Sequence, residues 1–115
     1  KRLDFLDLNG KDMALDRERT QRLTYNLGQT LDIPVVSGSD THQAVQYGCI
    51  ATCFDGTFDT VEEMHREMRA GRYEIQLADS AAFQVRTACL LKRSLKEIHA
   101  LGGDYVAVLT KAVSA

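Results

Sequence analysis

The stretch Val35-Val36-Ser37-Gly38-Ser39-Asp40-Thr41-His42 decides how this chain is built. It opens as two β-branched residues of the buried-strand type and breaks at Ser37-Gly38-Ser39. Gly38 there lets the backbone turn, or come close to a ligand. An aspartate and a histidine follow, two residues apart. A carboxylate and an imidazole are the donors that Zn²⁺, Mn²⁺ and Fe sites favour. If the chain is still extended at that point, residues two apart point to one side. Asp40 and His42 then aim at one spot beyond the carboxyl end of a strand, which is where parallel α/β folds keep their chemistry.

Upstream, Ile33-Pro34 introduces this strand, because proline holds the residue before it extended. The segment Met13 to Leu31 is expected to be one helix, with Leu15, Leu23, Leu27 and Leu31 forming its apolar stripe. Gly28 weakens the last turns and allows close packing on a neighbour. Before the helix, Leu3 to Leu8 reads as a strand ended by the turn dipeptide Asn9-Gly10. Asp4 and Asp7 cannot share one face of that strand, so one carboxylate sits at its end, near a site, or both are solvated. Strand, helix and strand make a βαβ unit, whose two strands should be parallel.

Downstream, Gln43 to Tyr47 reads as loop or a single helical turn, and Cys49 to Phe54 as a strand. Asp55-Gly56 is a turn that is also able to join a hairpin. Thr60 and Glu63 have capping-box spacing, so a helix starts at Val61, and Gly71 ends it. Tyr73, Ile75 and Leu77 alternate as on a half-buried strand. Asp79 or Ser80 caps a long last helix, with Ala88, Leu91, Leu95 and Ile98 as its apolar seam. Arg86, Lys92, Arg93 and Lys96 read as a solvated face, with nucleic-acid binding as the rival use. Residues 104–109 fit a final strand or a helical tail.

The composition is that of a globular protein: 115 residues, 44% hydrophobic, 26% charged, with a net charge of −2. That balance gives no electrostatic ground for a nucleic-acid or anionic-membrane partner. No apolar run approaches the roughly 20 residues of a membrane span, and no signal peptide is visible. Three cysteines, Cys49, Cys53 and Cys89, are an odd number that favours reduced thiols and a cytoplasmic location. If Cys49 and Cys53 lie on a strand they are roughly 13 Å apart, too far to share a metal, so structural thiols are expected. The chain opens at Lys1 inside a strand-like run and is expected to be a piece of a longer protein.

Over roughly residues 3 to 75 the chain resembles the C-terminal portion of the PHP family (polymerase and histidinol phosphatase). The residues that carry the likeness are the acidic strand ending in Asn9-Gly10, Ile33-Pro34 with the Gly-Ser-Asp-Thr-His run, the Gly48 segment, and the capped helix leading to Gly71-Arg72-Tyr73. The resemblance implies an α/β fold that is the C-terminal fragment of a distorted seven-stranded βα barrel. Its parallel βαβ unit would be followed by further strands and helices. Residues 1–47 would be barrel, and 48–115 a PHP-associated C-terminal region. It implies divalent metals (Zn, Mn or Fe) in the full-length protein, with Asp40 and His42 as the last pair of ligands. Asp7 or Asn9 would lie beside the site, and Ser37, Ser39, Thr41 and Gln43 would orient the ligands. The substrate would be a phosphorylated small molecule or a phosphodiester. The family's His-x-His pair and its other ligands are absent from this sequence, and His65 and His99 match none of them. Two ligands do not hold a catalytic metal tightly, so this piece alone is expected to be inactive and to hold a metal weakly or not at all. Its partners would be the N-terminal half of the barrel or, through exposed strand edges, a second copy of itself. The alternative is a non-catalytic accessory or assembly module.

Overall fold

Pro34 sets the entry to the central strand pair. In the computed structural model, which describes residues 2–104, 106, 107 and 111, β1 (Leu6–Asp7) and β2 (Val35–Val36) run parallel. Leu6 N–H donates to the Pro34 carbonyl at 2.9 Å and Leu8 N–H to the Val36 carbonyl at 2.7 Å. The predicted βαβ unit is therefore present, with strands shorter than the sequence suggested.

The crossover differs from the expected single helix. Two helices, α1 (Gly10–Leu15) and α2 (Arg17–Leu31), meet at Asp16. Asp16 leaves helical geometry (φ −149°, ψ 74°), and its carboxylate accepts the Arg19 N–H at 3.4 Å. A short carboxylate competes for backbone donors in this way, which favours a cap over a helix interior. Asn9 also departs from expectation. It caps α1 by accepting the Asp12 N–H at 3.0 Å, and Gly10 is the first helical residue.

The leucine stripe does not face the strands. Leu15, Leu23, Leu27 and Leu31 are 46 to 56% exposed. Contact with β2 is made instead at buried Gly28, where a Cβ would lie 2.8 Å from Val35 Cγ2 and 3.2 Å from the Ile33 carbonyl oxygen. A residue without a side chain lets helix and strand approach; a leucine row there would hold them apart. Periodicity identified an apolar row but not the element it meets.

After the 3₁₀ turn (Ala44–Gln46), β3 (Ile50–Phe54) pairs antiparallel with β4 (Tyr73–Leu77), Thr52 opposite Ile75. The connection is not a hairpin at Asp55-Gly56. It runs through α3 (Val61–Ala70), whose Thr60–Glu63 capping box and left-handed Gly71 (φ 68°) are as the sequence requires. The described strands form two separate two-stranded sheets. The class is mixed α/β, and no barrel is seen among the described residues.

The last helix, α4 (Ala81–Ala100), starts after Ser80, whose hydroxyl makes no capping bond to the backbone. Its buried row is Ala81, Val85 and Ala88; Leu91 is exposed, so the buried face lies nearer the N-terminus than the predicted seam. One core joins both strand pairs: Leu8, Met13 and Val35 pack with Cys49, Ile50, Ala81 and Val85. Of the segment 104–109, residues 105, 108 and 109 lie outside the described residues, and 106 and 107 are helical. No described helix is long and apolar enough to cross a membrane.

Candidate functional site

The loop after β2 is held by hydrogen bonds from all around it. The Thr52 hydroxyl accepts the Ser37 N–H at 2.8 Å and donates back to the Ser37 carbonyl at 2.7 Å. Ser37 Oγ donates to the Leu8 carbonyl, tying the loop to the end of β1. Ser39 Oγ donates to the Ile50 carbonyl at 3.2 Å and accepts the Gly48 N–H at 3.0 Å. Buried Gln46 closes the turn: its Nε2 donates to the Ser39 carbonyl at 3.2 Å, and its Oε1 accepts the His42 N–H at 3.3 Å. Ser37 and Ser39 are thus anchors of the loop backbone.

Within this frame the chain is not extended, contrary to the premise that aimed Asp40 and His42 to one side. Asp40 is left-handed (φ 46°), a conformation aspartate tolerates better than most residues. The loop nonetheless brings the two together: His42 Nδ1 lies 2.8 Å from the Asp40 carbonyl oxygen. A carbonyl only accepts, so Nδ1 carries the proton and Nε2 is the nitrogen with a lone pair to offer. Metal-binding histidines are commonly oriented by such a bond. Both side chains are exposed and line one cavity of about 230 Å³, with Asn9 and Gln43 also on its wall. Thr41 is exposed beside them.

Asp7 sits at the carboxyl end of β1, on the same side of the strand pair as the loop. Its carboxyl is held above its ordinary value, first by partial burial and further by the Asp40 charge; a hydrogen bond with the Gly38 backbone opposes the rise. Asp7 lines a different cavity, with Asp12 and Asp16, and Asn9 is common to both. Because the folded-state pKa exceeds the unfolded one, the Asp7 contribution is fully favourable below the unfolded pKa. It is lost as pH rises through the folded pKa. Asp7→Asn is therefore expected to raise the urea midpoint at neutral pH and leave it unchanged in acid below the carboxylate range. A lower midpoint at neutral pH would contradict this. Solvent screening at this exposed site keeps the gain small.

A divalent metal is the cofactor the resemblance implies. Asp40 and His42 have the chemistry of two ligands, but no three His, Cys, Asp or Glu residues gather into a metal site among the described residues. His65 lies on α3 with Nε2 3.8 Å from Asp4, away from the loop. The cysteines are free, and burial pushes the Cys49 thiol up, as for an unreactive structural residue.

Sequence reasoning missed Gln46, Thr52, Lys11 and Lys92. Thr52 acts through Ser37, fifteen residues away, whereas Gln46 acts through Ser39 and His42, within the turn that it closes. Lys11 and Lys92 line the Asp40–His42 cavity, from α1 and α4 respectively. Compared with known proteins, the chain matches no family model, no curated protein and no solved structure.

Proposed function

We propose that this chain is the carboxyl-terminal part of a metal-dependent phosphoesterase of the PHP type. In it, Asp40 and His42 are two ligands of a divalent-metal centre. The observation that carries this is the placement of an Asp–His pair just beyond the carboxyl end of a parallel strand. The His42 ring is held through Nδ1, and Asp7 stands at the matching end of the partner strand. The remaining ligands would come from the upstream part of the barrel. The exposed leucines of α2 would then pack on a neighbouring barrel helix, which accounts for an apolar row that has no strand to cover it.

In such a centre Asp40 would contribute a carboxylate oxygen and His42 its Nε2. The Ser37, Ser39 and Gln46 bonds keep the loop that carries both from relaxing. A metal bound there would activate a water and neutralise phosphoryl oxygens. The substrate would be a phosphorylated small molecule or a phosphodiester, and the setting cytoplasmic.

Calorimetric titration of Mn²⁺ or Zn²⁺ into this chain should give weak binding that disappears in the Asp40→Ala, His42→Ala double variant. In the protein carrying the rest of the barrel, the same variant should lose nearly all phosphoesterase turnover. Undiminished turnover would sink the proposal. It would leave the alternative, an accessory or assembly module in which Asp40 and His42 are dispensable.

A further inference from the structure

The cavity beside Asp40 and His42 has a wall that the metal-centre proposal does not use. Helix α4 lies across the 3₁₀ turn and against α1. It is pinned there by Gln84, whose Nε2 donates to the Val45 and Tyr47 carbonyls at 3.0 Å each. From this docked helix, Val85 and Ala88, 1% and 6% exposed, form an apolar floor.

Lys92 continues the same helical row. Positions 81, 85, 88 and 92 are spaced four, three and four, so Lys92 follows the buried part of the row and is itself exposed, at the edge of the cavity. A lysine at such an edge is able to lay its methylene stem on neighbouring apolar surface while its ammonium stays in water. Lys11 reaches the same cavity from α1. Neither lysine forms an ion pair with any described residue, and neither does Asp40. Among the side chains that line the cavity, two ammonium groups stand against one carboxylate, Asp40. Asn9 adds an amide NH₂, since its oxygen is already taken by the Asp12 N–H.

We infer that this cavity binds a small dianion, with Lys11 and Lys92 as two cationic anchors and the carbon part of the ligand on Val85 and Ala88. Two ammonium groups from separate helices match a group with two negative charges, and ammonium groups act as point charges towards phosphoryl and carboxylate oxygens alike. A volume of about 230 Å³ limits the ligand to a small molecule. The inference rests on the cavity and its charges and stands without the metal. α4 thereby becomes a wall of the binding site in addition to packing against the core.

The test is NMR titration of the chain with inorganic phosphate and, separately, malonate, in metal-free low-salt buffer with chloride as the ionic-strength control. Saturable shifts are expected around Asn9, Lys11, His42 and Lys92. Lys11→Gln and Lys92→Gln should each weaken binding about tenfold, the loss of one charge-assisted bond. Lys96→Gln, on the same helix but outside the cavity, should change it less than about twofold. Tighter phosphate would identify a phosphoryl ligand and tighter malonate a dicarboxylate; both support the pocket. Absence of a saturable response to either, or equal weakening by Lys96→Gln and Lys92→Gln, would overturn it. Unchanged urea midpoints would show that the variants fold. Because no metal is present, failure here leaves the Asp40–His42 proposal untouched, and loss of metal binding in the Asp40–His42 double variant leaves this one untouched.

Discussion

Thr52→Val is expected to cost about 2–6 kcal/mol of folding stability, from one hydroxyl on β3. That hydroxyl accepts the Ser37 N–H and donates to the Ser37 carbonyl, and Ser37 is 8% exposed. Valine has nearly the same shape and an equal liking for strands, so packing and propensity change little. What remains is a buried donor and a buried acceptor left without these partners, at about 1–3 kcal/mol each. Thr52→Ser keeps the hydroxyl and should lose less than about 1.5 kcal/mol, the worth of a methyl group. Urea denaturation of the three proteins measures this directly. Equal midpoints for wild type and Thr52→Val would mean that the bonds between Thr52 and Ser37 hold nothing. The substitution should also loosen the loop ahead of Asp40 and His42, so metal and anion binding should fall with it.

Gly10→Ala is expected to destabilise by about 1–3 kcal/mol, the range for an overfilled interior. A Cβ on Gly10 would lie 2.7 Å from Ile50 Cγ2, 3.2 Å from the Gly38 carbonyl oxygen and 3.6 Å from that of Ser39. Ile50 is 1% exposed and branched at Cβ, so it has little room to turn away. Helix propensity pulls the other way by at most about 1 kcal/mol, and by less at the first residue of a helix. The clash therefore wins. Since two of the three nearest atoms belong to the Gly38–Ser39 backbone, relaxation should displace the loop towards the cavity. Gly10→Val should be worse than Gly10→Ala. A wild-type midpoint for Gly10→Ala would show that the loop yields without cost.

Both predictions concern contacts between segments 15 to 40 residues apart, and this separates what was legible in the sequence from what was not. Local chemistry announced itself. Thr60 and Glu63 fixed the start of α3, and Gly71 its end, because capping bonds run three residues along the chain. Tyr73, Ile75 and Leu77 showed the half-buried face of β4 through the period of a strand. Pro34 and the valines placed β2, and the helical crossover made its pairing with β1 parallel. Asp40 and His42 were visible as candidates from residue type and spacing alone.

Which side each element turned inward was decided only by packing. The α2 leucines were the obvious apolar row, yet Gly28 meets the strand, because approach distance governs that contact more than hydrophobicity does. Asp16 split a helix whose apolar periodicity ran straight through it. The loop was taken as extended, but Asp40 is left-handed, and the Asp40–His42 pairing comes from a bond within the loop that Gln46 and Thr52 secure from outside. Lys92 is exposed, as a solvated helix face requires, but that it lines the cavity beside Asp40 and His42 follows only from the docking of α4 with Ala81, Val85 and Ala88 inward. The sequence by itself determined most of the elements, though not the break at Asp16, and singled out two residues with metal-binding chemistry. The tertiary structure alone decided the cavity around them, because its walls come from α1, the loop and α4, and their meeting depends on buried contacts that no local pattern encodes.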